Sequence, residues 1–339
     1  MQKLYIISNE SIFEKNENYF CDNIDIKSTS EGLSKTFEVY LFGRNSKKQR
    51  AHKINVKKVY IGNNFPLFFF NIYKFLNERN AKYLIISITP YTFLISLLLR
   101  LFKKKPIIYL RSDGYSEYKA KLWYFGPFVY HLMFKIVSSI SILVSCRKYI
   151  LKGKLGKIVS PSQLNSSWLA NVKEPNLDKI KLLYVGRIRR EKGIFSLIDL
   201  IKKIKIELTL TIVGAEIDFN SHILEKNINL FNVESNIEKL IKYYDNHNIF
   251  ILPSFTEGHP MVLLESLARL RPVIIFKEIE HVIGDKKGIF VAERNSKSLL
   301  EKIDFIKKNY SSIQIEMKKN NLPTKQDFLR ELSSIITSA

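Results

Sequence analysis

Residues 254–271 read SFTEGHPMVLLESLARLR, with two carboxylates, Glu257 and Glu265, eight positions apart at the start of an apolar helical pattern. Pro260 suits the first helical position, because that residue's N–H has no acceptor within the helix anyway. The amides of Met261 and Val262, with Gly258 and His259 alongside, then form a helix start that attracts anions. Upstream, VGRIRREKG (185–193) supplies the opposite charge. Gly186 allows tight backbone geometry, Arg187 can bond an anion through two N–H groups at once, and Lys192 adds a point charge near the next helix start. Each glutamate taken alone has a plainer reading. Glu257 can complement a helix dipole in the first turn, and Glu265 can be a solvated helix residue.

These loops need strands before them and helices after them, and the pattern supplies both. Short apolar runs alternate with helical segments, which predicts an α/β protein with parallel sheets. KLYIIS (3–8), FEVYLF (37–42), YLIISI (83–88), PIIYL (106–110) and ISILVS (140–145) read as strands in the first half. KLLYVG (181–186), LTLTIVG (208–214), NIFILP (248–253) and PVIIF (272–276) do so in the second. None alternates cleanly between apolar and polar residues, as expected of strands covered on both faces. A length of 339 residues predicts two domains, and the polar stretch 160–180, with two prolines, is the expected link.

The chain carries 54 Lys+Arg against 32 Asp+Glu, a net +22. Residues 1–165 hold 27 and 10 of these (+17), and residues 166–339 hold 27 and 22 (+5), so the first half carries the field. Such a field suits an anionic membrane, an acidic substrate or nucleic acid, or reflects only a lysine-rich proteome. No aromatic–basic recognition module supports nucleic acid. Cys21 and Cys146 have no metal-ligand neighbour at useful spacing and are expected to be packing residues in a reducing compartment. The opening MQKLYIISNE is expected to be a strand, its apolar run being too short for a leader. Residues 122–144 are long enough to span a bilayer. Gly126-Pro127 and Lys135 favour a helix over about 127–138, followed by a buried strand. YTFLISLLLRLFKKKP (91–106) is either a core helix with a solvated basic end or a contact with an anionic membrane surface through Lys103–Lys105, to which 65–76 can add.

Taken in order, VGRIRREKG, LTLTIVG, ILPSFTEGHPMVLLESLA, RPVI and EIEHVIGDKKGIFV (278–291) resemble the donor domain of group 1 (family 4) retaining glycosyltransferases with the GT-B fold, closely over about 181–305. The resemblance implies two Rossmann-like domains whose parallel sheets face a central cleft: an acceptor-side domain at 1–165, a nucleotide-sugar domain at 166–322, and a last helix, 323–339, crossing back to the first. It implies that Arg187 and Lys192 grip the diphosphate, that Glu257 holds the donor sugar and acts with them in catalysis, and that Glu265 accepts from the ribose hydroxyls. Gly186, Gly258, His259, Pro260, Met261 and Val262 complete the donor contacts. Preorganised cations and amide dipoles stabilise a leaving diphosphate without proton transfer. Neither a metal nor another cofactor is therefore expected, and the chain has no Asp-x-Asp motif.

The sequence departs from the family at several points. SNESIFEKN (8–16) has no glycine where relatives carry a glycine-rich loop, and Leu270 stands where a glycine usually ends the helix. RSDGYSE (111–117) has Arg111 and Asp113 near a position where relatives have histidine, which makes both candidate acceptor-side residues. Asp113 can equally be turn chemistry beside Gly114. The expected function is sugar transfer from a nucleotide-diphosphate sugar to a glycan or lipid-linked acceptor in cell-surface polysaccharide or lipopolysaccharide synthesis. The expected location is cytoplasmic, peripheral on the inner face of the membrane, with no nucleic-acid partner. An epimerase on the same fold is the alternative, although no acid–base set for one is recognisable. Donor choice is expected to depend on the loop around 214–236.

Overall fold

The computed structural model describes residues 1–215 and 227–339. The chain divides into two units, residues 1–163 with 325–339, and residues 164–324. Each is organised around one sheet. In the first unit the strands are β1 (Gln2–Lys15), β2 (Asn18–Cys21), β3 (Phe37–Asn45), β4 (His52–Ile54), β5 (Lys58–Gly62), β6 (Lys82–Ile86), β7 (Ile107–Leu110), β8 (Ile142–Ser145) and β9 (Lys157–Ile158). The parallel strands lie in the order β5-β3-β1-β6-β7-β8-β9. Successive residues of β1 enter opposite cores. Leu4 and Ile6 pack in the core that includes Leu33, Phe328 and Leu332, whereas Tyr5 and Ile7 pack in the one that includes Leu99, Phe134 and Val137. Burial on both faces explains why the sequence runs do not alternate.

The glycine-free stretch 8–16 is not the loop expected from the sequence. β1 continues through it to Lys15, with a register shift against β3 between Ile7 and Ser11, and pairs antiparallel with β2. Asn16 and Glu17 both adopt positive φ, 49° and 59°. That is the geometry of a two-residue hairpin turn whose twist matches the flanking strands. Ile12 is fully buried and anchors the extension. Both cysteines are buried packing residues, and burial pushes their thiols up to about 12 (Cys21) and about 11 (Cys146).

The second unit holds β10 (Ile180–Val185), β11 (Leu208–Ala215), β12 (Ile228–Asn232), β13 (Ile249–Leu252), β14 (Val273–Phe276) and β15 (Ile289–Ala292). They form one sheet in the order β12-β11-β10-β13-β14-β15, with every described pairing parallel. Strand order reverses at β10, so a crevice opens between the loops that leave β10 and β13, where open parallel sheets bind ligands. Of the 214–236 stretch expected to govern donor choice, residues 216–226 lie outside the described residues.

The segment after the Glu265 helix holds two arginines that are almost fully buried. Arg269 forms a two-pronged pair with Asp245, Nε to Oδ1 and Nη2 to Oδ2 at 2.9 Å each, and also donates to the carbonyls of Trp168, Ala170 and Asn171. Arg271 donates to the carbonyls of Tyr244, Arg269, Lys173 and Asp245. Leu270 between them takes φ 53°, the left-handed conformation that glycine would adopt without strain. The helix end is thus kept without the glycine, held by guanidinium bonds on either side. Replacing Asp245 with alanine strands two buried cations. The expected outcome is a loss of about 3–5 kcal/mol, measured as a lower denaturant midpoint for Asp245→Ala, with a smaller drop for Asp245→Asn.

Candidate functional site

The loop after β10 begins at Gly186, whose φ of 153° and lack of Cβ let it lie 2.9 Å, at the Cβ position, from the Tyr184 hydroxyl. That hydroxyl donates to the Arg187 carbonyl at 2.9 Å and fixes the turn. Burial, and then the nearby Glu257 carboxylate, hold the Tyr184 phenol well above its usual range, so it remains a donor. Arg187 itself is exposed. A short 3₁₀ turn, Arg190–Lys192, leads to Gly193, which caps the helix Ile194–Lys202 with φ 68°. A Cβ at Gly193 would lie 1.9 Å from the Pro253 carbonyl oxygen. The two loops therefore meet at a contact that only glycine permits. The Phe255 amide donates to the Glu191 carbonyl at 3.0 Å and joins them again.

Across this seam Lys192 Nζ lies 2.6 Å from Glu257 Oε1. The Ser254 hydroxyl donates to the same oxygen at 2.6 Å, and His281 Nε2 donates to the Glu257 carbonyl at 2.8 Å. The Glu257 side chain is only 10% exposed. It is therefore a buried, oriented acceptor rather than a solvated charge beside a helix dipole. Arg294 braces the loop from behind. Its guanidinium stacks on Phe255 and Phe276, with centroids 4.0 and 4.4 Å away, and bonds the Ser254 carbonyl at 3.3 Å and the Glu278 carboxylate at 2.6 Å. Burial works against the Glu278 charge, yet the Arg294 bond holds that carboxyl below its usual range.

Pro260 is the cap of the following helix, Met261–Ala268, rather than its first residue. Its ψ of 113° is extended, and the first helical residue is Met261, so the helix starts one position later than the sequence suggested. The amides of Met261 and Val262 remain first-turn donors without intrahelical acceptors. Gly258 and His259 lie in the bend between Glu257 and that cap. Glu265, half-buried one turn further on, accepts from the Tyr244 hydroxyl at 2.8 Å. Tyr244 is fully buried, and burial together with the Glu265 carboxylate holds its phenol well above the usual range. Glu265 is thus a fixed carboxylate and not a freely solvated one.

Lys192, Glu257, Gly258, His259, Pro260, Met261 and Val262 therefore gather where the β10 and β13 loops meet, with Gly186 and Arg187 at the start of one loop and Glu265 inside the following helix. Ser254, His281, Arg294 and Tyr244 serve the same site and were not singled out from sequence. Only Ser254 carried a local signal, as the hydroxyl three residues before Glu257. The other two candidates belong to the first unit. Arg111, at the end of β7, donates to Asp25 at 2.8 Å. Asp113 caps the helix Gly114–Leu122, accepting from the Tyr115 amide at 3.1 Å and pairing with Lys152 at 3.1 Å.

Residues 169–322 match the family model described as glycosyl transferases group 1. The chain is 30% identical over 139 residues to the capsular polysaccharide biosynthesis glycosyltransferase CapM of Staphylococcus aureus, a match that covers 38% of this chain and 36% of CapM. The chain thus spans about a third of the length of that curated relative. Among solved structures, sucrose-phosphate synthase from Thermosynechococcus elongatus aligns over 100% of this chain and 99% of its own, with a TM-score of 0.72 and 15% identity. HepE from Anabaena, in complex with UDP and glucose, aligns over 100% of both chains, with a TM-score of 0.69 and 11% identity. The loop pair at the reversal of the second sheet thus lies within the residues that match the glycosyl transferases group 1 model, on a chain with the GT-B fold.

Proposed function

We propose that this protein transfers a sugar, with retention at the anomeric carbon, from a nucleotide-diphosphate sugar to a glycan or lipid-linked acceptor in cell-surface polysaccharide or lipopolysaccharide synthesis. The single observation that carries this reading is the Lys192–Glu257 pair at 2.6 Å, held in the crevice at a sheet reversal beside a helix start. In the reaction the bond from the anomeric carbon to the diphosphate oxygen breaks, and its electron pair leaves with the diphosphate. The acceptor hydroxyl forms the new bond and releases its proton. Lys192, Arg187 and the Met261 and Val262 amides suit the charge that develops on the departing diphosphate. Glu257 suits the donor sugar's hydroxyls and Glu265 the ribose hydroxyls, because an ionised carboxylate only accepts. No metal is needed where two cations and two amides neutralise the leaving group. The name of CapM and the UDP and glucose bound to HepE support the same donor and product classes.

The location belongs to the same proposal: peripheral, on the inner face of the membrane, with Lys103–Lys105 meeting anionic lipid. Among the described residues no helix is long and apolar enough to cross a membrane. Lys103 and Lys105 are exposed, while Lys104 turns back to bond the Glu78 carbonyl at 2.5 Å, so the first two supply the contact.

Calorimetric titration with UDP, GDP, ADP and their sugars tests the donor reading. One nucleotide series should bind, and binding by none of them would end the proposal. Glu265→Ala should weaken nucleotide binding by about tenfold, the worth of one or two charge-assisted hydrogen bonds. Tyr244→Phe, which leaves the carboxylate but removes its orienting bond, should weaken it by a few-fold, on the order of one hydrogen bond. Glu257→Ala should mainly lower turnover, with nucleotide affinity little changed. Equal turnover in the Glu257 and Glu265 variants would make the pair structural.

A further inference from the structure

The helices Phe65–Tyr73, Pro90–Leu101 and Phe125–Ile140 contribute to one core of the first unit and cover the same face of its sheet. Their inner sides are buried, but their outer sides are strongly apolar. On the longest helix Tyr130, Met133, Phe134 and Val137 face the core, while Phe125, Phe128, Leu132 and Ile136 are 42–78% exposed, at helical spacing along the opposite side. The turn before it exposes Trp123 (70%) and Tyr124 (76%), whose rings stack 5.1 Å apart. Phe70 and Leu101 are further exposed apolar side chains on the other two helices of the layer. Isolated exposed hydrophobics need no explanation, but a row at helical spacing does.

The charge around this surface selects its occupant. None of the three helices contains an Asp or Glu, and no acid occurs between Glu117 and Glu174. Lys74, Arg100, Lys103, Lys119, Lys121 and Lys135 are all exposed on or beside the layer. A second copy of this chain would bring the same positive fringe and be repelled. A bilayer with anionic headgroups offers both an apolar interior for Phe125, Phe128 and Leu132 and opposite charge for the lysines. Trp and Tyr at the turn suit the headgroup level, where one edge of each ring stays wet. The helix has 16 residues and spans about 24 Å at 1.5 Å per residue, so it is suited to lying along the interface rather than crossing it.

We propose that the outer face of Phe125–Ile140, with Trp123 and Tyr124, is a lipid-inserting surface that seats the protein on an anionic membrane. The inference rests on the lipid contact proposed above for Lys103–Lys105 and places its apolar part on a different helix. The chain supplies its own reporter, because it has two tryptophans and Trp168 is buried. The full chain is mixed with vesicles of phosphatidylcholine alone and of phosphatidylcholine with phosphatidylglycerol, and emission and pelleting are followed. Trp123 emission should shift to the blue on the anionic vesicles and not on the neutral ones, and Trp123→Phe should abolish the shift. The double variant Phe128→Ser, Leu132→Ser should weaken pelleting by at least about tenfold, with its thermal unfolding unchanged because both side chains are exposed. Lys103→Gln with Lys105→Gln should weaken it by about fivefold per lysine. Pelleting that falls in the lysine variant but is intact in the Phe128/Leu132 variant, with Trp123 emission unmoved, overturns this inference and leaves the lysine contact standing. No binding to anionic vesicles overturns both and leaves sugar transfer to the nucleotide titration. A dimer in lipid-free solution that the Phe128/Leu132 variant abolishes would make the face an interface between copies and also overturn it.

Discussion

The site in the second unit depends on how closely two loops can approach. Parallel order reverses at β10, so the loops leaving β10 and β13 are the pair that must flank any ligand. The backbone at Gly193 lies so near the Pro253 carbonyl that a Cβ would occupy the same space. That approach brings Lys192 to Glu257, and it leaves the Phe255 amide bridging the two loops at the Glu191 carbonyl. One methyl group at Gly193 would separate the loops, and the charge pair would lose its geometry before any functional side chain was altered.

The acids in this basic chain have specific work. Glu257 takes up the Lys192 charge, Asp245 those of Arg269 and Arg271, and Glu278 that of Arg294. A guanidinium that satisfies several carbonyls as well as a carboxylate is tolerated in a core because each of its donors has an acceptor. Arg269 and Arg271 thereby bind residues 168–173 to the end of the Glu265 helix, and the neighbouring Tyr244 bonds Glu265 itself. The same short stretch, Tyr244-Asp245, fixes both the far end of that helix and the carboxylate within it.

The strands and the two loops of the candidate site were legible from sequence because their signals are local. Apolar runs such as LTLTIVG and PVIIF end at turn residues, and VGRIRREKG and SFTEGHP are contiguous stretches. What was not legible comes from partners distant in the chain. Nothing near Arg294 announces that it stacks between Phe255 and Phe276, and nothing near ARLR announces Asp245. The β1–β2 hairpin was missed for another reason. Its turn, Asn16-Glu17, lacks the glycine that usually marks positive φ, and Ile12 is the single buried anchor within a polar run. Pro260 differed by one residue because proline fits both a helix cap and a first position, and only its extended ψ separates the two.

On the sugar-transfer reading proposed above, the Lys192–Glu257 pair bears on how a donor would enter. A partly buried charge pair gains little net stability over its solvated parts, since desolvation offsets most of the attraction. Its value lies in order: two long side chains that would otherwise sample several rotamers are held at the mouth of an anion-attracting helix start. A diphosphate sugar offers each of them a better-matched partner, phosphate for the ammonium and hydroxyls for the carboxylate, without leaving either charge unpaired. Exchange of that kind avoids stripping water from isolated charges when the ligand arrives. The Ser254 hydroxyl bonds the Glu257 carboxylate and His281 bonds its main-chain carbonyl, so side chain and loop both stay held while Lys192 changes partner. Preorganisation of the acceptor and mobility of the cation are therefore compatible, because the loop is fixed by bonds that the exchange does not break.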